Sequence, residues 1–268
     1  MFGRSIIIAR KRTLCYPVER MTNRYYEPGT QRAARVNDLF NTIAPRYDLI
    51  NDLQSFGLHR YWKRRLIQLS EARPGQCALD LCCGTGDIAL SIARHDVKVT
   101  GLDFSESMLA VARQRSRKSE AGVARSENSG GQRVRLIQAD AQNIPFPDAH
   151  FDIVTVGYGL RNLASWETGL REMWRVAKPR GRVLVLDFGK PNNALWRGLY
   201  FAYLKCFVPL LGRIFSGDSQ THAYILESLT HYPAQQGVAA RMREMPLTEI
   251  RIINLLGGIM SINYGVKK

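Results

Sequence analysis

Cysteine is sparse in this chain and does not pair. Cys15, Cys77, Cys82, Cys83 and Cys206 are odd in number and show no C-x-x-C spacing, which argues against a disulfide framework and a zinc ribbon and fits a reducing compartment. Long apolar runs are missing too. The most apolar stretch, LWRGLYFAYLKCFVPLLGRIF at 195–215, is interrupted by Arg197, Lys205 and Arg213 and should be kinked by Pro209, so it does not span a bilayer comfortably. Near the start, three isoleucines are too few for a signal-peptide core and no small-residue cleavage site follows them, so the protein is expected to be unexported. Acids are the other shortage. None precedes Glu19, and 23 Asp and Glu face 38 Lys and Arg, a net charge of +15. That balance nominates an anionic partner, whether nucleic acid, membrane surface or ligand, without choosing among them. The five histidines, His59, His95, His150, His222 and His231, show no metal-ligand spacing, and no metal is expected.

What is present is ordinary globular material: 268 residues, 45% hydrophobic and 23% charged, enough to bury a sizeable core. Residues 1–29 read as a basic tail, with Met21 an alternative start and a transit peptide the other option; 30–268 read as one domain. Apolar residues at helical spacing between Thr30 and Leu69 predict amphipathic lead-in helices. After Pro74-Gly75 the chain alternates QCALDL, a glycine loop and DIALSIARHD; VKVTGLD and SESMLAVARQRSRK; RVRLIQAD; FDIVTVGYG and WETGLREMWRVAK; and GRVLVLDF. Strand followed by helix, repeated, predicts an α/β fold with a mostly parallel, doubly wound sheet. The Ser- and Gly-rich stretch at 117–132 reads as a solvated insertion, 192–231 as a lid-like helical region, and TEIRIIN with GIMSINYG as a closing antiparallel hairpin.

The glycine loop, Asp80-Leu81-Cys82-Cys83-Gly84-Thr85-Gly86-Asp87, lies between a strand and a helix, where backbone approaches a nucleotide cofactor closely. Gly84, Gly86 and Ala89 also satisfy a dinucleotide pattern, so an NAD-dependent oxidoreductase is the rival. Asp80 argues against it, because a carboxylate there would repel a pyrophosphate and attract the cationic ammonium and sulfonium of S-adenosylmethionine. Asp103 ends the second strand, where it could accept both hydrogens of a ribose diol, while Ser105 suits the helix cap. Asp140-Ala141 ends the third strand and offers a carboxylate for an adenine amino group, with Ile144 and Phe146 as apolar cover. The Tyr264-x-x-x-Lys268 pair is expected at the chain terminus on an outer strand and is discounted as a dehydrogenase relay.

With these residues placed, the chain resembles the class I, Rossmann-like S-adenosylmethionine-dependent methyltransferases, and more closely the C-methyltransferase family of menaquinone and ubiquinone biosynthesis. YDLINDLQSFGLHRYWK at 47–63, RVAKPRGR at 175–182 running on to Asp187-Phe188 and Pro191, and GLRN at 159–162 carry the resemblance. It implies that Thr85, Asp103, Asp140 and Ala141 contact S-adenosylmethionine, with Asp80, Gly84 and Gly86 shaping the loop. Gly157 stands where some members have a contacting serine, and Arg180 where a glycine is common. The implied reaction is transfer of a methyl group to a ring carbon of a prenylated quinol, demethylmenaquinol to menaquinol, or alternatively a methoxy-polyprenyl benzoquinol. Arg161 is the candidate cation for the quinolate oxygen, with an ion pair to Asp52 or Glu167 as the structural alternative. Tyr47, Asn51 and Trp62 are candidates for the acceptor site, and His59 for the base. A peripheral association with an anionic membrane, at the cytoplasmic face or alternatively the mitochondrial matrix face, would use the basic balance. An RNA-directed methyltransferase is the remaining rival, but no nucleic-acid module accompanies the basic clusters and no nucleic acid is expected. Homo-oligomerisation is left open.

Overall fold

The structure is a computed structural model and describes residues 32–123, 133–210 and 219–268. The basic tail and most of the Ser/Gly-rich insertion lie outside the described residues. Three lead-in helices, α1 (Arg32–Ile43), α2 (Tyr47–Ser55) and α3 (Leu58–Ser70), precede β1 (Cys77–Leu81), α4 (Asp87–Ala93), β2 (Lys98–Asp103), α5 (Glu106–Val123), β3 (Val134–Gln138) and β4 (Phe151–Gly157). Then come α6 (Trp166–Val176), β5 (Ala177–Phe188), α7 (Ala194–Ala202), α8 (Ser219–His231), α9 (Ala234–Arg243) and the strands β6 (Leu247–Leu255) and β7 (Met260–Lys267). Part of the expected insertion is helical instead: α5 continues to Val123.

One sheet of seven strands runs in the order β3-β2-β1-β4-β5-β7-β6. β1 pairs in parallel with β2 and β4, whereas β7 is antiparallel to both β5 and β6. β1 is central and buried on both faces, which its apolar CALDL run anticipates. One face packs Leu79, Leu81, Val154 and Val156 against α6, α8 and α9. The other packs Ala78, Val99, Ile153 and Ile262 against Trp62 and Leu66 of α3 and Ile88 and Ile92 of α4.

Local chemistry sets the helix starts. Ser165 caps α6 by accepting from the Thr168 N–H, and Asn193 caps α7 by accepting from the Trp196 N–H at 2.9 Å. Beyond α7 the chain takes a π-helical turn over Tyr203–Phe207 before helix resumes to residue 210. Pro209 accounts for it, since a proline cannot donate to the carbonyl four residues back. In place of the glycine seen in related turns, Arg180 adopts φ +64°.

The strand order reverses between β2 and β4 around β1, which opens a crevice beyond the carboxyl ends of these strands. The lead-in helices and the α7–α8 region cover that crevice.

Candidate functional site

Two cavities, each of about 100 Å³, meet over the carboxyl ends of β1, β2 and β4. Phe40, Tyr47 and Tyr158 line both, so these three rings form the junction. The first cavity lies over the glycine loop. It is bounded by Cys82, Gly84, Asp103, Asp140, Ala141 and Gly157, with Leu102, Phe104, Met108 and Leu163 as apolar cover. Asp103 anchors it. One carboxylate oxygen accepts the Gly84 N–H at 2.8 Å and the other the Ser105 N–H at 2.9 Å, which leaves further lone pairs for a ligand diol. Burial raises its pKa against those two bonds. Ser105 caps α5 as expected, its Oγ accepting from the Met108 N–H at 3.2 Å. The set fits an adenosyl group: a carboxylate for the sugar, an apolar slot for the base, and the exposed Asp140 at the rim.

Three residues of the expected cofactor set, Asp80, Thr85 and Gly86, line neither cavity. Asp80 is 1% exposed and lines neither cavity. Its carboxylate accepts from the Thr155 hydroxyl at 2.8 Å and the Ala89 N–H at 3.1 Å, stapling the start of α4 to β4 beneath the loop. The charge argument against a dinucleotide therefore does not hold at that position. Thr85 is also turned away: its hydroxyl donates to Asp48 at 2.9 Å and accepts from Arg115 at 3.0 Å. Gly86 lines neither cavity and shapes the loop, as the resemblance implies: it is the φ +84° turn into α4, where a Cβ would meet Ala112 at 3.2 Å. Ile144 and Phe146 belong to the core packed on Phe151 rather than to the adenine slot.

Asp48 and Thr85 belong to a charged network that fixes the lead-in helices over the loop. Lys63 donates to Asp87 at 2.6 Å, and Arg115 reaches both Asp87 and Asp48. Residues from α2, α3, α4, α5 and the loop are thereby joined.

The second cavity is apolar and aromatic, walled by α1, α2, α3 and the α7–α8 region. It collects Tyr47, Asn51, His59, Trp62 and Arg161, every acceptor-side residue expected from the sequence. Burial raises the pKa of Tyr47. The Nδ1 of His59 lies 3.0 Å from Ser55 Oγ, and burial together with Lys63 pushes the imidazole below its ordinary value, so it is neutral around pH 7. Arg161 is 6% exposed. Its partner is neither Asp52, which pairs with Arg60, nor Glu167, but Asp187: Nη1 reaches Oδ1 at 3.0 Å and the backbone N–H reaches Oδ2 at 3.1 Å. The guanidinium also lies 4.6 Å over the Phe188 ring. Sequence spacing missed this pairing because Asp187 arrives from β5, a neighbour of β4 only in the folded sheet. Tyr158, Tyr200 and Phe40 were missed as well; each is an aromatic whose role depends on which way its ring turns. Among the described residues, no three His, Cys, Asp or Glu side chains cluster as metal ligands.

Residues 29–267 match the ubiE/COQ5 methyltransferase family. A ubiquinone/menaquinone biosynthesis C-methyltransferase of Azotobacter vinelandii is 41% identical over 243 residues, covering 90% of this chain and 92% of the relative. A demethylmenaquinone methyltransferase of Desulfitobacterium hafniense is 42% identical over 246 residues, covering 89% and 92%. Among solved structures, a SAM-dependent methyltransferase from Aquifex aeolicus superposes with a TM-score of 0.56 at 15% identity, covering 85% of this chain and 98% of that one.

Proposed function

The chain belongs to the ubiE/COQ5 methyltransferase family, and we propose that its acceptor is a prenylated quinol, specifically demethylmenaquinol. It is an S-adenosylmethionine-dependent C-methyltransferase, and the oxidoreductase and RNA-directed readings give way to that class. The observation that carries the acceptor assignment is the pair of cavities meeting at Phe40, Tyr47 and Tyr158. A polar-rimmed nucleotide slot opens there onto an apolar, aromatic chamber suited to a fused ring and a prenyl chain. The 42% identical relative named for demethylmenaquinone supports the naphthoquinol choice, and the relatives named for both quinones make the benzoquinol the second reading.

Bound at the glycine loop, S-adenosylmethionine supplies an electrophilic sulfonium methyl. The protein's own task is alignment of the acceptor carbon and removal of the quinol proton. His59, neutral and at the chamber wall, is the candidate base. Arg161, held by Asp187, sets a positive charge at the wall where a quinolate oxygen would lie. Tyr47 at the junction packs the ring toward the methyl group. Because a prenylated quinol stays in the bilayer, we assign the basic surface and the exposed apolar residues beside the chamber to peripheral contact with anionic lipid.

The test is transfer of radiolabelled methyl from S-adenosylmethionine into lipid-extractable product, with reduced demethylmenaquinol and a prenylated methoxybenzoquinol offered separately. Label in the naphthoquinol supports the proposal. Label only in the benzoquinol reverses the acceptor choice, and label in neither removes the quinol assignment.

A further inference from the structure

Besides Tyr47, four tyrosines line the acceptor chamber, and they divide into two kinds. Tyr203 donates its hydroxyl to the Gln54 carbonyl at 2.7 Å, and Tyr224 donates to Asn162 Oδ1 at 3.1 Å; these close the walls. Tyr158 and Tyr200 line the same chamber, yet their hydroxyls are buried and have no hydrogen-bond partner among the described residues. A buried hydroxyl left unbonded costs free energy, so a fold retains one where something else satisfies it.

The backbone around Tyr158 points the same way. It adopts φ +63°, a conformation a bulky residue takes only when its surroundings impose it. The surroundings are specific: its N–H donates to the Leu186 carbonyl at 2.7 Å, its own carbonyl accepts from Asn162 Nδ2 at 3.0 Å, and its ring packs 5.9 Å from that of Phe188. All of this holds the backbone and ring and leaves the hydroxyl unused. Burial pushes both phenols well above their ordinary range, so each remains a neutral donor.

We infer that Tyr158 and Tyr200 donate to the two ring oxygens of a 1,4-dihydroxy aromatic acceptor, Tyr158 serving the oxygen beside the carbon that receives the methyl group. The assignment of sides follows from position. Tyr158 lines both cavities and so stands at the point of transfer, whereas Tyr200 lines the acceptor chamber alone. The inference rests on the quinol reading above. No bond to either tyrosine forms or breaks; each holds an oxygen, and Tyr158 also favours its deprotonated form.

The test uses the full chain with Tyr158→Phe and Tyr200→Phe, which remove only the hydroxyls. Tyr158→Phe is expected to lower kcat at least tenfold or so, a modest value for one donor at a developing oxyanion. It should also move the acidic limb of the kcat pH profile, which reports the bound complex, to higher pH, with binding of S-adenosylhomocysteine unchanged. Tyr200→Phe is expected to raise the quinol KM about tenfold with kcat retained. That loss should vanish against a prenylated 1-naphthol lacking the second oxygen, a response that loosened packing would not give. Wild-type kcat and KM in both variants would mean that water alone satisfies these hydroxyls, and would overturn the inference while leaving the quinol reading intact. A wild-type enzyme that methylates no quinol removes both, and does so before either variant is made.

Discussion

Asp80 is a carboxylate that burial lifts from 3.8 to about 7, even though Thr155 and Ala89 hydrogen-bond its charged form. A raised acid binds its proton more tightly in the folded than in the unfolded chain. Its contribution to stability is therefore largest below about pH 4 and is lost progressively as pH rises toward 7. Asp80→Asn, which carries no charge, should flatten that part of the stability curve, as urea unfolding between pH 5 and 8 would reveal. An unchanged slope would assign the pH dependence to other groups. His59 has the opposite sign. Its imidazole is lowered by burial and by Lys63, so as a base it remains competent at neutral pH and fails only as pH falls below the ordinary histidine range. His59→Asn should remove that acidic limb from the methyl-transfer profile. Arg161 and Asp187 are coupled more strongly. Arg161→Met is expected to cost about 3–5 kcal/mol of stability by stranding the buried carboxylate, and Arg161→Met with Asp187→Asn should recover most of it. Chemical denaturation of the two variants measures the difference, and equal losses would show that the pair is not the cause.

The turn within β5 gives the test at the scale of elements. Arg180 at φ +64° holds a left-handed conformation that costs an L-residue about 1–2 kcal/mol. Arg180→Gly should therefore stabilise the protein by about 0.5–1 kcal/mol once the greater freedom of unfolded glycine is subtracted. A lower Tm in that variant would mean that the Arg180 side chain contributes more than its backbone costs. Elements of this kind were legible in the sequence. The apolar runs of β1, β4 and β5, the glycine loop and the closing hairpin all report short-range pattern. The family resemblance named Tyr47, Asn51, His59 and Trp62 together, and α2 and α3 bring all four to one cavity. Side-chain direction within the glycine loop was not legible. Positive φ at Gly84 and Gly86 turns the loop so that Thr85 faces Asp48 and Arg115, residues 37 and 30 positions away. The adenine cover escaped for the same reason. Met108 and Phe104 reach that slot through the packing of α5 and the β2 turn, which no local run of residues encodes.

For the whole molecule, the charge of +15 and the absence among the described residues of any helix long and apolar enough to cross a membrane frame the question of how a lipid-borne acceptor is reached. Phe56 stands at the corner between α2 and α3, 72% exposed and at φ +51°. Its ring stacks 6.3 Å from Phe207 and lies 6.5 Å from Tyr203, which lines the acceptor chamber. The apolar corner thus adjoins the chamber wall. Along α7, Leu195 and Leu199 are exposed at 75% and 56%, four residues apart and so on one side of the helix. Basic side chains accompany them in sequence: Arg60 and Arg64 follow Phe56 on α3, Arg197 lies within α7 and Lys205 in the π-helical turn beyond it. Apolar insertion and lysine or arginine attraction, about 1 kcal/mol per basic residue near anionic lipid, would act together at such a face. Wild-type protein is expected to co-sediment with anionic vesicles at low salt and to be partly released as ionic strength rises to about 0.5 M, where screening shortens the attraction to a few ångströms. Phe56→Ser with Leu199→Ser should lose vesicle binding and turnover of vesicle-borne quinol. It should retain the wild-type rate on a short-chain acceptor in solution, since neither residue lines a cavity. Undiminished vesicle binding in that variant would place the membrane contact on another face, and equal loss with both acceptors would make the corner a structural support of the chamber rather than its route to the bilayer.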